Sequence, residues 1–301
     1  FTFLMEYENF SFVEAVKFLA DRAGIELPEM EYSKEAKEKA DLKSTILEMN
    51  KLAAKYFYVQ LKSERGSQAY SYLKNRELSD ETITAFGLGF SNKYSDDLYK
   101  YLKSKGYSYE QMLQANLIQK SREKESCYDV FRNRVMVPIL DVSGNVIAFG
   151  GRLLEDGKQP KYLNTSDTPA FRKSKNLFAL NFAKDYCSDR MILCEGYMDV
   201  IALHGAGFSN AVATLGTAMT PDHARMMKRY TKSVVISYDA DAAGQNAADK
   251  AFRLLGEVGL EARLLKVENA KDPDEFIKKF GKDAFRKLLD GSKPQFEFKF
   301  D

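Results

Sequence analysis

The stretch Met191–Asp199, MILCEGYMD, decides the fold, and Val234–Gly244, VVISYDADAAG, repeats its pattern. Each stretch is a short apolar run that stops at carboxylates. Apolar runs of this length are typical of strands buried on both faces of a parallel sheet. The acids Glu195, Asp239 and Asp241 therefore fall at the carboxyl ends of two strands, which is where open α/β sheets bind their ligands.

These three acids predict a divalent-metal site. Carboxylates in one crevice repel one another unless a cation lies between them, and hard oxygen ligands select Mg²⁺, or Mn²⁺ in its place, over zinc. We therefore expect Glu195, Asp239 and Asp241 to bind metal. Carboxylates at strand ends also cap helices, and the pair Asp239 and Asp241 alone leaves both interpretations open.

The composition bounds the class of protein. The chain has 301 residues, of which 45% are hydrophobic and 29% charged, which is ordinary for a globular protein with room for two or more domains. A net charge of +2 excludes a global positive field, so a nucleic-acid-binding surface must be a local patch. Three scattered cysteines without a C-x-x-C pair indicate no zinc site and a cytoplasmic location. Without a long apolar run we expect no contact with membranes, and the start at Phe1 suggests a piece of a longer protein.

The apolar periodicity alternates between strand and helix in the second half of the chain. It predicts strands over Met191–Cys194, Ala211–Thr214, Ser233–Tyr238 and Ala262–Lys266. Thr220 followed by Pro221 is typical of a helix start. Upstream, Arg134–Ile139 and Val146–Gly151 are predicted to form a hairpin.

Basic residues collect around that hairpin, with aromatic residues between them. The cations are Arg132, Arg134, Arg152, Lys158, Lys161, Arg172, Lys173 and Lys175. Arg offers bidentate contacts to phosphates and Lys a point charge, while aromatic rings stack on bases. The same pattern is also compatible with a solvated rim, so composition alone leaves nucleic-acid binding open.

The two acidic stretches together resemble the Toprim domain, a metal-binding module of bacterial primases, topoisomerases and some nucleases. Upstream motifs narrow the resemblance to the RNA-polymerase core of bacterial DnaG-type DNA primases, in the same order along the chain. These motifs are FRNRVMVPI (131–139), AFGGR (148–152), PKYLN (160–164) and FRKSKNLF (171–178). Topoisomerases and Toprim nucleases lack this upstream block.

The resemblance implies an α/β fold in three parts. Residues 1–188 would form a mixed α+β subdomain with the basic motifs, 189–271 the Toprim parallel-sheet domain, and 272–301 the start of a helical subdomain. Glu195, Asp239 and Asp241 would be catalytic, with Glu195 a metal ligand or the general base. Further candidates for ions or triphosphate are Asp199, Asp272 and Asp274, although an acidic helix start explains Asp272 and Asp274 almost as well. Nucleic acid or nucleotide would be bound by Arg132, Asn133, Arg134, Arg152, Lys161 and Lys173.

The resemblance also implies an activity and partners. We expect synthesis of short RNA primers from ribonucleoside triphosphates on a single-stranded DNA template. The chain would act as a monomer and, in the full-length protein, with the replicative helicase. The alternatives are phosphodiester cleavage on the same carboxylates, and a single-stranded-DNA-binding fragment that is catalytically weak.

Overall fold

The structure is a computed structural model that describes residues 1–8, 10, 12–25, 34–121, 126–155, 159–238, 242–265, 267, 270 and 272–294. The chain divides into two units, Phe1–Ser44 and Thr45–Asp301. The first unit contains α1 (Thr2–Tyr7), α2 (Phe12–Ala23) and the start of α3 (Lys34–Lys62). Gly24 ends α2 with a φ of 64°, a left-handed conformation that glycine adopts without strain.

The second unit continues α3 and adds short helices between residues 67 and 114. They are α4 (Ser67–Asn75), α5 (Asp80–Ala85), α6 (Asp97–Ser104) and α7 (Tyr109–Gln114). The Ser79 hydroxyl accepts the Thr82 amide at the start of α5, and Ser108 forms a capping box with Gln111 at the start of α7. These caps satisfy amides that have no partner inside the helix.

The first sheet is antiparallel. Its strands are β1 (Gly89–Ser91), β4 (Arg134–Leu140), β5 (Val146–Leu153) and β6 (Tyr162–Asn164), in the order β1-β4-β5-β6. Between β1 and β4 in the sequence, β2 (Ile118–Lys120) and β3 (Cys127–Asp129) form a separate hairpin. The predicted hairpin is confirmed as β4 and β5, which pair from Arg134 opposite Leu153 to Leu140 opposite Val146.

The second sheet is mainly parallel. Its strands are β7 (Arg190–Cys194), β8 (Ala211–Ala213), β9 (Ser233–Ser237), β10 (Glu261–Leu264) and β11 (Lys293–Pro294), in the order β11-β10-β9-β7-β8. Only β11 runs antiparallel to its neighbour. The strands predicted from the apolar runs are confirmed. The last of them, β10, starts at Glu261 and ends at Leu264, whereas the prediction was Ala262–Lys266.

Both faces of the second sheet are covered. Ile192 and Cys194 belong to one hydrophobic cluster, while Met191 and Leu193 belong to another. Successive side chains of a strand point to opposite faces, so apolar residues at every position are needed to fill both clusters. The covering helices are α8 (Leu180–Ala183), α9 (Tyr197–Gly205), α10 (Pro221–Lys228), α11 (Ala242–Glu257), α12 (Pro273–Phe280) and α13 (Lys282–Asp290). The α/β fold class is thereby confirmed.

Candidate metal centre and nucleic-acid interface

Glu195 lies at the carboxyl edge of the second sheet. It follows β7 directly and is exposed, whereas Cys194 before it is fully buried. Helix α9 then places Asp199 in its first turn. A Cβ added at Gly196 would lie 3.2 Å from Asp199 Oδ2, so this carboxylate folds back over the glycine backbone. Two oxygen-donor groups therefore share the turn between β7 and α9.

The neighbouring strand β9 ends beside β7. Cys194 pairs with Ser237 in parallel register, so the two strands finish at the same edge. Asp239 and Asp241, the acids predicted to follow β9, lie outside the described residues. Within the described ranges, no three His, Cys, Asp or Glu side chains come together as a metal-binding group. Of the predicted acids, Glu195 and Asp199 are described by the structure at the turn between β7 and α9.

The Cys194 thiol and the Tyr238 hydroxyl beneath this edge are neutral. Burial raises the pKa of the Cys194 thiol well above its ordinary value, and the nearby Asp199 adds to this effect. Burial also raises the pKa of Tyr238, with smaller contributions from Cys194 and Glu195. Because neither group ionises near neutral pH, the negative charge at this edge comes from its carboxylates.

Asp272 and Asp274 have structural contacts at the start of α12. The Asp272 carboxylate accepts the Glu275 amide at 2.8 Å and caps the helix. Asp274 is only 4% exposed and forms ion pairs with Arg76 and, at 2.9 Å, with Lys278. Two cations thus already neutralise the Asp274 carboxylate, which favours the helix-start interpretation of these acids.

Arg134 is buried rather than presented to solvent. It is 1% exposed, and its guanidinium donates to the carbonyl oxygens of Pro160 at 2.9 Å and Gly151 at 3.1 Å. Burial lowers its pKa. These contacts hold the segment before β6 against β4 and β5. Arg134 therefore shapes the surface from within, in contrast to the phosphate contact that its charge suggested.

Arg152, which is half-buried, and the exposed Lys161 lie beside the ring of Tyr162. The Arg152 guanidinium lies 5.5 Å from the Tyr72 ring centre and 5.4 Å from that of Tyr162. Lys161 is exposed, and its Nζ lies 6.0 Å from the Tyr162 ring centre. Cations over aromatic faces are suited to phosphates and stacked bases.

The remaining predicted contacts flank these strands. The Arg132 guanidinium lies 4.6 Å from the Tyr128 ring centre. Asn133 has a φ of 52°, and this left-handed residue turns the chain into β4. The Lys173 amide donates to Asp167 at 3.0 Å, which fixes the loop that carries its partly exposed side chain.

Two polar side chains near the second sheet, Tyr197 and Asn164, were not predicted. Tyr197 is 4% exposed, and a Cβ at Gly150 would lie 2.9 Å from its ring and 3.0 Å from Asn164 Oδ1. Among the described residues, neither the Tyr197 hydroxyl nor Asn164 Oδ1 has a hydrogen-bond partner. The Gly150-Gly151 pair inside a strand was the available signal, since glycine in a strand marks close approach.

Family profiles match both parts of this architecture. The one described as DNA primase catalytic core, N-terminal domain, covers residues 56–184, and the one described as Toprim-like covers 192–277. The chain is 46% identical over 294 residues to a DNA primase of Clostridium acetobutylicum, with 97% of this chain and 48% of that protein covered. The chain belongs to the DNA primase family. It spans about half the length of the curated primases that it matches.

Solved structures of primase cores have the same fold. The Escherichia coli primase catalytic core matches with a TM-score of 0.78 and 34% identity, covering 84% of this chain and 82% of that one. A DnaG primase catalytic domain bound to single-stranded DNA matches with a TM-score of 0.78 and 34% identity, covering 85% and 81%. Of the helices in the described part of this primase-family chain, none combines the length and apolar character of a membrane-spanning segment.

Proposed function

We propose that this chain is the catalytic part of a primase that synthesises short RNA primers from ribonucleoside triphosphates on single-stranded DNA. The observation that carries the proposal is the parallel register of Cys194 with Ser237. Two adjacent strands end side by side, and each is followed in the sequence by acids. The family membership and the cationic, aromatic surface on β4–β6 support a polymerase over a nuclease.

The carboxylates at this edge suit a divalent cation of the Mg²⁺ type. Glu195 is exposed, Asp199 folds over Gly196, and all candidate ligands are hard oxygen donors. We assign Glu195, Asp239 and Asp241 as the ligands, with Asp199 supporting them. When bound, such an ion stabilises charge on the phosphoryl oxygens and helps to orient the attacking 3′-hydroxyl.

The protein groups then bind and orient the substrates. We propose that Arg152 and Lys161 hold phosphates of the template or the incoming nucleotide, and that Lys173 extends this surface. Arg132 stacks on Tyr128 at its other end. We propose that Arg134 and Asn133 position these groups, Arg134 through its carbonyl contacts and Asn133 through its left-handed turn.

The proposal extends to the organisation and partners of the whole protein. It divides the chain into residues 1–188, the Toprim domain at 189–271, and a helical subdomain that starts at 272. It includes a monomeric catalytic unit in the cytoplasm and a replicative helicase as partner of the full-length protein.

A primed extension assay tests this function. The protein is mixed with a single-stranded template annealed to a short RNA primer, ribonucleotides and Mg²⁺. Extended RNA is expected. A shortened template would indicate a nuclease instead, and retained DNA binding without either product would indicate a binding fragment.

The variant Glu195→Gln tests the metal assignment. It should lower extension by at least roughly 100-fold, because it weakens the binding of the ion that would stabilise the charge on the reacting phosphate. It should also weaken Mn²⁺ binding, measured by the loss of the free-ion electron paramagnetic resonance signal. Glu110→Gln, a matched change at an exposed residue of α7, should alter neither. Unchanged Mn²⁺ binding in Glu195→Gln would overturn the assignment.

A further inference from the structure

The loop at residues 172–176 carries three cations, Arg172, Lys173 and Lys175. Arg172 and Lys175 are exposed, and Lys173 is partly exposed. The loop contains a single turn of 3₁₀ helix, Lys173–Lys175, in which the Lys175 amide donates to the Arg172 carbonyl oxygen at 3.1 Å. One turn leaves its last carbonyl groups without partners inside the helix. The position of these cations therefore depends on what holds the loop from outside.

Two side chains at the start of α10 hold three carbonyl groups of this loop. The Thr220 hydroxyl donates to the Ser174 carbonyl oxygen at 2.9 Å. His223 Nε2 lies 2.9 Å from the carbonyl oxygen of Lys173 and 3.1 Å from that of Asn176. These bonds connect segments that are 46 to 50 positions apart in the sequence. Helix α10 thus supplies the donors that the 3₁₀ turn lacks.

The hydrogen bonds of His223 fix its tautomer. The Thr220 amide donates to Nδ1 at 3.2 Å, so Nδ1 is an acceptor and carries no proton. The proton of the neutral ring is therefore on Nε2, which donates to the loop. His223 is fully buried, and burial lowers its pKa, which favours this neutral form. One ring nitrogen thus serves the helix start and the other serves the loop.

A capping box needs only an acceptor at the position of His223. In the usual form, a Glu or Gln three residues after the cap accepts the amide of the cap residue. Here Thr220 and His223 form the box. An ionised Glu would accept this amide but could not donate to carbonyl oxygens, whereas a neutral His does both. The donor that His223 directs at the loop is therefore not explained by helix capping.

We propose that His223, supported by Thr220, is a positioning residue that fixes Lys173 for contact with a phosphate group, either of the template strand or of the incoming nucleotide. This inference rests on the proposed function, in which Lys173 extends the phosphate-binding surface. The backbone of Lys173 is held on both sides, since its amide donates to Asp167 Oδ1 at 3.0 Å and its carbonyl oxygen accepts from His223. Without the His223 bond, binding would have to order the loop as well as the lysine side chain, which costs affinity.

Two measurements identify the phosphate that Lys173 contacts. The first is the Kd for a single-stranded oligodeoxynucleotide of about twelve residues, measured by fluorescence anisotropy without ribonucleotides. The second is the KM for ribonucleotides in the primed extension assay. Lys173→Ala should raise the Kd if the phosphate belongs to the template, and the KM if it belongs to the nucleotide. His223→Leu, which removes both ring nitrogens, should raise the same constant by about 3- to 10-fold, the range for one net hydrogen bond.

Three further variants separate positioning from general stability. Combining His223→Leu with Lys173→Ala should raise the constant no further than the larger of the two single effects. His223→Gln can accept the Thr220 amide and donate to the loop, so it should restore most of the lost affinity. His204→Leu is the matched control, because His204 is the only other histidine of the chain and its Nε2 lies 2.9 Å from the Ala211 carbonyl oxygen, outside the loop. It should change neither constant.

Three results would overturn the proposal. If the effects of His223→Leu and Lys173→Ala multiply in the double variant, His223 acts independently of the lysine. If His204→Leu raises the constant as much as His223→Leu, the effect is a general loss of stability. If Lys173→Ala changes neither constant, the lysine contacts no phosphate and has nothing to be positioned for. RNA extension by the unaltered protein would in that case still support the proposed primase function.

Thr220→Val gives a second test if circular dichroism shows His223→Leu to be unfolded. It removes the donor to the Ser174 carbonyl oxygen at nearly constant shape, on a residue that is partly exposed. It should raise the same constant by about 2- to 5-fold, and this effect should vanish when Lys173→Ala is already present. Thr220→Ser keeps the hydroxyl and should restore the affinity. A Thr220→Val protein that binds like the unaltered one, while Lys173→Ala binds more weakly, would contradict the proposal.

Discussion

Asp274→Asn tests whether this acid is a structural ion-pair partner or a metal ligand. Its carboxylate is 4% exposed and contacts Arg76, which is 198 positions away in the sequence, as well as Lys278 one turn further along α12. Asparagine has the same shape but no charge. The variant therefore leaves two cations beside a neutral group.

The magnitude follows from the exposure of the partners. Removing one member of a buried ion pair costs about 3–5 kcal/mol of unfolding free energy, because it leaves an uncompensated buried charge. Here the side chains of Arg76 and Lys278 are each 26% exposed, so water takes over part of their charge. We therefore expect a loss of roughly 2–3 kcal/mol.

Urea unfolding followed by far-UV circular dichroism measures this loss, since the chain contains no tryptophan for fluorescence. Asp272→Asn is the matched control on the same helix. Asparagine caps helices as well as aspartate, so this variant should lose less than about 0.5 kcal/mol. A double-mutant cycle with Arg76→Gln should give a coupling of at least about 1 kcal/mol.

Two results would refute this reasoning. Equal losses in Asp274→Asn and Asp272→Asn would attribute the effect to negative charge at the helix start and not to the ion pair. A much weaker Mn²⁺ affinity in Asp274→Asn, with unchanged stability, would make Asp274 a metal ligand after all.

Three further outcomes are expected. Gly89→Ala should destabilise the protein by roughly 1–3 kcal/mol in the same urea assay, because the added Cβ would lie 2.6 Å from Phe57 Cβ. Gly256→Ala adds a Cβ in open space within α11 and should stabilise the protein by about 0.5–1 kcal/mol. If both variants changed the unfolding free energy in the same direction, the close packing of Gly89 against Phe57 would be contradicted. Burial raises the pKa of Asp129 to about 7, so the folded chain keeps a proton that the unfolded chain releases near pH 4. Stability should thus fall as the pH rises from about 4 to 7, and Asp129→Asn should flatten the slope; an unchanged slope would exclude Asp129 as its source. Lys161→Ala should reduce the slope of the logarithm of the single-stranded DNA binding constant against the logarithm of salt concentration by about 0.7, for one lost phosphate contact, without changing the melting temperature. An unchanged slope would indicate that Lys161 belongs to a solvated rim.

The sequence predicted the elements whose signals are local. The strands β7 and β9 follow from apolar runs that end at acids, and the cap at Thr220 is confirmed by its hydrogen bond from the His223 amide. The capping box that the structure shows at Ser108 is likewise formed within four residues, Ser108 to Gln111. These features depend on the order of neighbouring residues, which a single sequence shows directly.

Contacts between distant segments were not predictable in the same way. Arg134 was grouped with the exposed cations because its charge is visible in the sequence, whereas its carbonyl partners depend on how β4, β5 and the following segment meet. Likewise, one of the two cations that pair with Asp274 is Arg76, which lies 198 positions away in the sequence. The assignment of Asp239 and Asp241 as metal ligands stays a prediction.

The outer strand β8 is covered at one point by a contact from outside its sheet. Phe178 and Ala213 form an antiparallel bridge, with hydrogen bonds of 2.8 and 3.3 Å in both directions. An uncovered strand edge is a template for pairing with other chains. A Toprim fragment cut after Phe178 would expose this edge and be prone to aggregate, so a shortened version for biophysical work should begin before that residue.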